Sequence, residues 1–308
     1  MRRKLTNIDY SLVMHPDDKK TVDWLNSLQV PYMSKWDFVR EIAKHPLDHN
    51  LKTWYEIFKS DLKYYTFKDF LNATTSKYQE AYNEVENQGE GINITADSLP
   101  ALHRQLVEAC SILNIKEPPA YSTDWYYGPF HYSNGEKHRR IVMMSGCADL
   151  FTEGEMAFTL GHELGHFMAG HKPYQMLIMS FYLPFMNDPV FKSWASIVKL
   201  PLFEWYRKSD YTADRFGLLC CQDINVARFI ISTMIKKAGL PKKCYDHIDI
   251  QSFIKQAKEF EDNFTGTVNS IIKALTIRSA EFPWLVDRAA KLYEWYESGE
   301  YQQIINQQ

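Results

Sequence analysis

Between Thr152 and Gly170 the chain carries a helix whose two ends are both written into it. Thr152-x-x-Glu155 has the form of a capping box, in which the threonine hydroxyl and the glutamate carboxylate each satisfy a backbone N–H at the helix start. Gly170 can take the left-handed conformation that commonly stops a helix. Any fold must accommodate a helix from about 153 to 169, and the residues in its middle limit what it can pack against. His162-Glu163-Leu164-Gly165-His166 sets two histidines four residues apart, so they share one face, one turn apart. Two imidazoles so placed can both reach one tetrahedral Zn²⁺ at about 2.0–2.1 Å. Glu163, rotated about 100° from His162, stands beside that ion. There it can take a proton from a metal-activated water and return it to a leaving amine, the chemistry of the H-E-x-x-H signature.

The flanking sequence indicates what surrounds this helix. Leu102, Leu106, Ala109 and Leu113 recur at helical spacing, which predicts a helix over Leu99 to Leu113 that ends before Pro118-Pro119. Asn134-Gly135 is a hairpin-turn signal between an aromatic run, Trp125 to Tyr132, and a strand-like run, Arg140 to Met144. A small sheet is expected to precede the metal helix. Residues 1–90 read as a helical N-terminal region placed to cover the cleft, and 91–308 as the peptidase domain. The expected fold class is α+β and mainly helical, a zincin-type fold with a small β-sheet next to the H-E-x-x-H helix.

Composition narrows the partners. A formal charge of −3 leaves no electrostatic footprint for nucleic acid. Arg2-Arg3-Lys4 and Lys137 to Arg140 read as a solvated tail and a solvated turn. Five cysteines, without C-x-x-C spacing, fit a reduced compartment, and a cytoplasmic location is expected. Met176 to Met186 is too short to span a bilayer and is interrupted by Pro184, so no transmembrane segment is expected. A buried helix is the preferred reading of 176–186, with peripheral membrane contact as its alternative.

A catalytic zinc asks for a third protein ligand and an open position. The metzincin spacing is excluded, because Ala169 and Lys172 stand where that pattern has glycine and histidine. His171 would lie about 180° from His162 on a continued helix, which assigns it a structural role or one behind the ligands. The better candidates lie in the stretch Arg207-Lys208-Ser209-Asp210-Tyr211-Thr212-Ala213-Asp214. Here the chain resembles the M48 zinc peptidases, a family that includes the heat-shock membrane protease HtpX and the CAAX prenyl protease. That family follows H-E-x-x-H at long range with a helix carrying E-x-x-A-D, whose glutamate binds zinc.

Ala213-Asp214 matches the end of that pattern, and the resemblance implies Asp210 as the third ligand in the glutamate position. Aspartate is one methylene shorter, so its helix must come closer. Glu204 is the rival ligand, about 120° around a helix from Asp210, whereas Asp210 and Asp214 share a face. Asp214 would orient a ligand from behind, or form an ion pair with Arg215 or Arg207. The resemblance runs from about Asp97 to the C-terminus. Phe282-Pro283 and Arg288 resemble the family's H-P segment and following arginine, with Phe282 in place of the histidine, and Arg288 is expected to anchor the C-terminal helix.

What the resemblance implies is a zinc-dependent endopeptidase, with one Zn²⁺ per chain held by His162, His166 and Asp210. Glu163 is its general base, and its substrate is a peptide or protein. The substrate is expected to lie extended along Trp125 to Tyr132 by β-augmentation. The alternative, prompted by the departures at Asp210 and Phe282, is a degenerate M48-like protein acting as a binding or regulatory module.

Overall fold

The computed structural model describes residues 2–32, 63–66, 84–85, 87–123, 131–134, 139–180, 189–227 and 285–307, with single positions at 249, 252, 255 and 259. Two helices open the chain, α1 (Tyr10–Val13) and α2 (Pro16–Ser27). Proline stands at the first position of α2, where its missing N–H costs nothing, and the His15 ring caps the helix by accepting from Asp17 N. The region expected to be wholly helical then departs from that reading. Strands β1 (Gln29–Tyr32) and β2 (Lys63–Thr66) pair antiparallel, with Gln29 opposite Thr66. β1 carries Val30 and Tyr32, and β2 carries Tyr64, Tyr65 and Thr66, residue types that favour a pleated surface over a helix.

The sheet beside the metal helix is four-stranded and mixed. Its strands are β3 (Ile92–Asn93), β4 (Ala120–Thr123), β5 (His131–Asn134) and β6 (Arg140–Met144), in the order β3-β4-β6-β5. β6 matches the expected strand, and all five of its residues are buried, as a central strand covered on both faces requires. It runs parallel to β4 and antiparallel to β5. Asn134 pairs with Arg140, and residues 135–138 between them, including Gly135 of the turn signal, lie outside the described residues. Residues 124–130, including most of the aromatic run, lie outside the described residues.

Helix α3 (Pro100–Ile112) lies within the expected bounds and packs on α5. The short α4 (Gly146–Leu150) leads into the metal helix, α5 (Glu153–Met168). The capping box forms as read: Thr152 Oγ1 accepts from Glu155 N, and Glu155 Oε2 accepts from Thr152 N. Ala169 caps the C-terminus, and Gly170 takes φ 69°. Helix α6 (Lys172–Ser180) buries Tyr174 and Ile178, while most of 176–186 lies outside the described residues. Among the described residues no helix is long and apolar enough to cross a membrane. The long α7 (Pro189–Cys221) is the main partner of α5, and α8 (Leu285–Glu297) and α9 (Glu300–Asn306) close the chain.

The α5–α7 contact is close because glycines line it. A Cβ on Gly161 would lie 2.4 Å from Cys220 Cβ and 2.9 Å from the Phe216 carbonyl oxygen, and one on Gly165 would lie 2.7 Å from Phe216 Cβ. From the other side, a Cβ on Gly217 would meet Phe158 Cε2 at 2.7 Å. Arg2, expected in a solvated tail, instead ties these elements together. Its guanidinium donates to the Cys221 and Glu153 carbonyls and pairs with Glu108 at 2.9 Å.

Gly161→Ala should force α5 and α7 apart and destabilise the fold by about 1–3 kcal/mol, the usual cost of overpacking. A lowered urea midpoint with an unchanged slope would register it.

Candidate metal centre

The close helix contact decides what can meet at its edge. His162 and His166 leave α5 on the face turned toward α7, both buried, with their rings at an interplanar angle of 89° and their Nε2 atoms 3.2 Å apart. Asp210, on α7, brings Oδ1 to 3.6 Å from His166 Nε2. His162, His166 and Asp210 each offer an atom, and these atoms lie within 4.8 Å of one another. Two nitrogens held at about 2.0–2.1 Å by a tetrahedral ion stand about 3.3 Å apart. The imidazole spacing fits that edge, and two imidazoles with one carboxylate are a donor set suited to zinc. Glu204 stands apart from these donors, half exposed and paired with Lys208 at 3.0 Å.

Each imidazole is held from behind. His162 Nδ1 lies 2.9 Å from Asp214 Oδ1. An ionised carboxylate only accepts, so the proton sits on Nδ1 and Nε2 is left bare toward Asp210 and His166. Burial pushes the Asp214 carboxyl up, but Arg288 and His162 together outweigh it and hold it below the ordinary range. Arg288, on α8, donates to both carboxylate oxygens, at 2.8 Å from Nε and 2.6 Å from Nη2. Its Nη1 also lies 3.5 Å from Asp210 Oδ2. The partner of Asp214 is thus Arg288, and not Arg215, which donates to the Val13 carbonyl and stacks on Trp295. Burial raises the Asp210 carboxyl, and Arg288 offsets only part of that. His166 is held well below its ordinary value, first by burial and then by Lys172, so its ring is neutral, the form that can bind a metal.

His171 corrects the helical extrapolation. Gly170 ends α5, the chain folds back, and His171 N donates to the His166 carbonyl at 3.0 Å. The His171 ring therefore returns beneath His166 instead of pointing away, with the two Nδ1 atoms 2.9 Å apart. Its Nε2 lies 2.9 Å from Asp18 Oδ2 on α2. Asp18 is fully buried and also accepts from Thr212 Oγ1 at 2.5 Å and Trp205 Nε1 at 2.7 Å, both on α7. Burial raises the Asp18 carboxyl, and these partners, His171 foremost, bring it below its ordinary value.

Two more residues join the site without a sequence signal beyond their polarity. Lys172 is buried with Nζ 3.9 Å from Glu163 Oε2, and burial lowers it to about 8 while Glu163 and Asp210 pull the other way. It donates to Gln175 Oε1 at 2.7 Å, and this leaves Gln175 Nε2 3.2 Å from His166 Nδ1.

An H-E-x-x-H helix with a carboxylate from a second helix, buttressed by hydrogen-bonded acids, is an arrangement that could hold a metal ion. The chain belongs to peptidase family M48, whose sequence pattern matches residues 98–259. It is 27% identical over 239 residues to the plastoglobule-localized metallopeptidase 48, chloroplastic, of Arabidopsis thaliana, a match that covers 77% of this chain and 69% of that protein. No solved structure matches the chain. Asp18 and Arg288 both lie outside the span matched to the family.

Removing Arg288 leaves the buried Asp214 without its guanidinium, held by the His162 ring alone. Arg288→Met should cost about 3–5 kcal/mol of stability, as breaking one side of a buried ion pair does, and equilibrium unfolding in urea would measure it.

Proposed function

We propose that the chain is a zinc-dependent endopeptidase in which His162, His166 and Asp210 hold the ion and Glu163 is the general base. The observation that carries this reading is the meeting of two bare imidazole nitrogens and one carboxylate oxygen, from two different helices, within 4.8 Å. Bound zinc would supply Lewis acidity, polarising the scissile carbonyl and making water a nucleophile near neutral pH. Glu163 is adjacent to His162 and rotated about 100° from it on the same helix, which suits it to accept the proton of the attacking water and pass it to the leaving amine. Asp214, fixed by Arg288, keeps the His162 proton on Nδ1, and Lys172 sets a cation beside the Glu163 carboxylate.

Substrate binding is proposed at the β5 edge of the sheet. Among the described residues β5 pairs only with β6, and it lies against α5, so a peptide could add along its outer side near that helix. An extended peptide added there exposes its carbonyls to attack, and the side chains of Trp125 to Tyr132 would line its pockets. Residues 91–308 form the peptidase domain in this reading. Of the N-terminal region, α2 packs behind the ligands, on the side away from their Nε2 atoms.

Elemental analysis of the full chain supplied with zinc should find one equivalent; well under one counts against the reading. Glu163→Gln should keep zinc and lose about 10²–10⁴-fold in peptide hydrolysis, since the amide cannot accept a proton; unchanged turnover removes Glu163 from the mechanism. Asp210→Ala should lose the metal and Glu204→Ala should keep it, and the opposite pattern would move the ligand role to Glu204.

A further inference from the structure

We propose that Asp18 is a positioning residue for the metal: acting through His171, it fixes the proton of His166 on Nδ1 and so presents a bare Nε2 to the ion. The inference rests on the metal reading above. Nothing in the matched family span assigns Asp18, since it arrives from α2.

With a neutral His171, the hydrogen bonds fit one arrangement. Asp18 Oδ1 faces the Trp205 N–H, and Oδ2 faces the Thr212 hydroxyl and His171 Nε2. The Trp205 N–H can only donate, and the Thr212 hydroxyl is oriented by accepting from His15 N at 3.0 Å, so it too donates to Asp18. A carboxylate receiving these bonds accepts from His171 as well, so His171 carries its proton on Nε2. His171 Nδ1 is then a bare acceptor, 2.9 Å from His166 Nδ1, and His166 donates to it. The proton of His166 is thereby spent on Nδ1, and the lone pair of Nε2 faces His162 and Asp210.

Gln175 gives the relay something to work against. Lys172 only donates, so the Gln175 oxygen faces Lys172 and its amide nitrogen faces His166 Nδ1, at 3.2 Å. That amide is a donor and favours the opposite tautomer, with Nδ1 bare and Nε2 protonated, which cannot bind a metal. The shorter contact to His171, anchored on a buried carboxylate, decides the competition. Asp18→Asn weakens the anchor and lets the amide win. Gln175→Glu replaces that donor with an acceptor, which takes the His166 Nδ1 proton directly and still pairs with Lys172.

The experiment measures zinc affinity in the full chain by competition with a chromophoric chelator, with circular dichroism as the check on folding. Asp18→Asn should bind zinc about 10–100-fold more weakly than wild type, the usual effect of losing a partner behind a ligand. The double variant D18N/Q175E should regain most of that loss, which a merely structural role for Asp18 would not allow. A folded D18N within twofold of wild type overturns the proposal, as does a double variant no tighter than D18N. A wild-type chain that binds no zinc overturns the metal reading and this inference together, whereas tight wild-type binding with an unchanged D18N overturns this inference alone. If D18N fails to fold, histidine ¹⁵N NMR of the zinc-loaded wild type decides: His171 should show a protonated Nε2 and a bare Nδ1, and the reverse overturns the proposal.

Discussion

Everything at the metal centre depends on how near α5 and α7 approach each other. Gly161, Gly165 and Gly217 remove the side chains that would hold the helices apart, and Phe158, Phe216 and Cys220 fill the space they leave. This accounts for an aspartate at position 210. A carboxylate one methylene shorter than glutamate still comes within 3.6 Å of His166 Nε2, because the backbone that carries it has been let in. On α7, residues 210, 214, 217 and 221 recur at helical spacing, so the same face that packs on α5 also carries both acids.

Charge imposes a second constraint. Among the groups joined to the centre by the contacts described, Asp18, Glu163, Asp210 and Asp214 are acids, while Arg288 and Lys172 are cations. With all ionised, these six described groups sum to a charge of −2 in a largely buried volume, which is costly unless something offsets it. A divalent cation would balance it. A monovalent ion or a neutral ligand would not.

The sequence was most legible where geometry is local. The capping box, the strand at 140–144, the paired histidines and the common phase of Asp210 and Asp214 each follow from a few neighbouring residues and a helical or strand period, and the structure has them. What was less legible crossed a break in the chain. The angle given to His171 holds only for a continued helix, and Gly170 ends that helix; its place behind His166 agrees with a role behind the ligands. Asp214 lies behind His162 as the preferred reading has it, while of the ion-pair alternative Arg215 turns toward Val13 and Trp295 and the guanidinium on Asp214 comes from α8. The β1–β2 pair went unseen because its strands are separated by a long stretch of sequence. Asp18 had no signal at all: an acid in the first turn of a helix ordinarily answers the helix dipole, and nothing in its spacing refers to a histidine far downstream.

That distance bears on the order in which the centre is assembled. The two imidazoles are four residues apart and come together as soon as α5 forms, on the microsecond scale of helix formation. Asp18 closes onto His171 across 153 residues and onto Thr212 across 194, so its contacts carry a far larger loop-closure entropy and are made only when most of the chain is in place. A nascent or half-folded chain therefore owns the histidines without the carboxylate proposed to order the proton of His166. On the proposed reading, full metal affinity is a property of the finished fold, and a centre built this way is armed last.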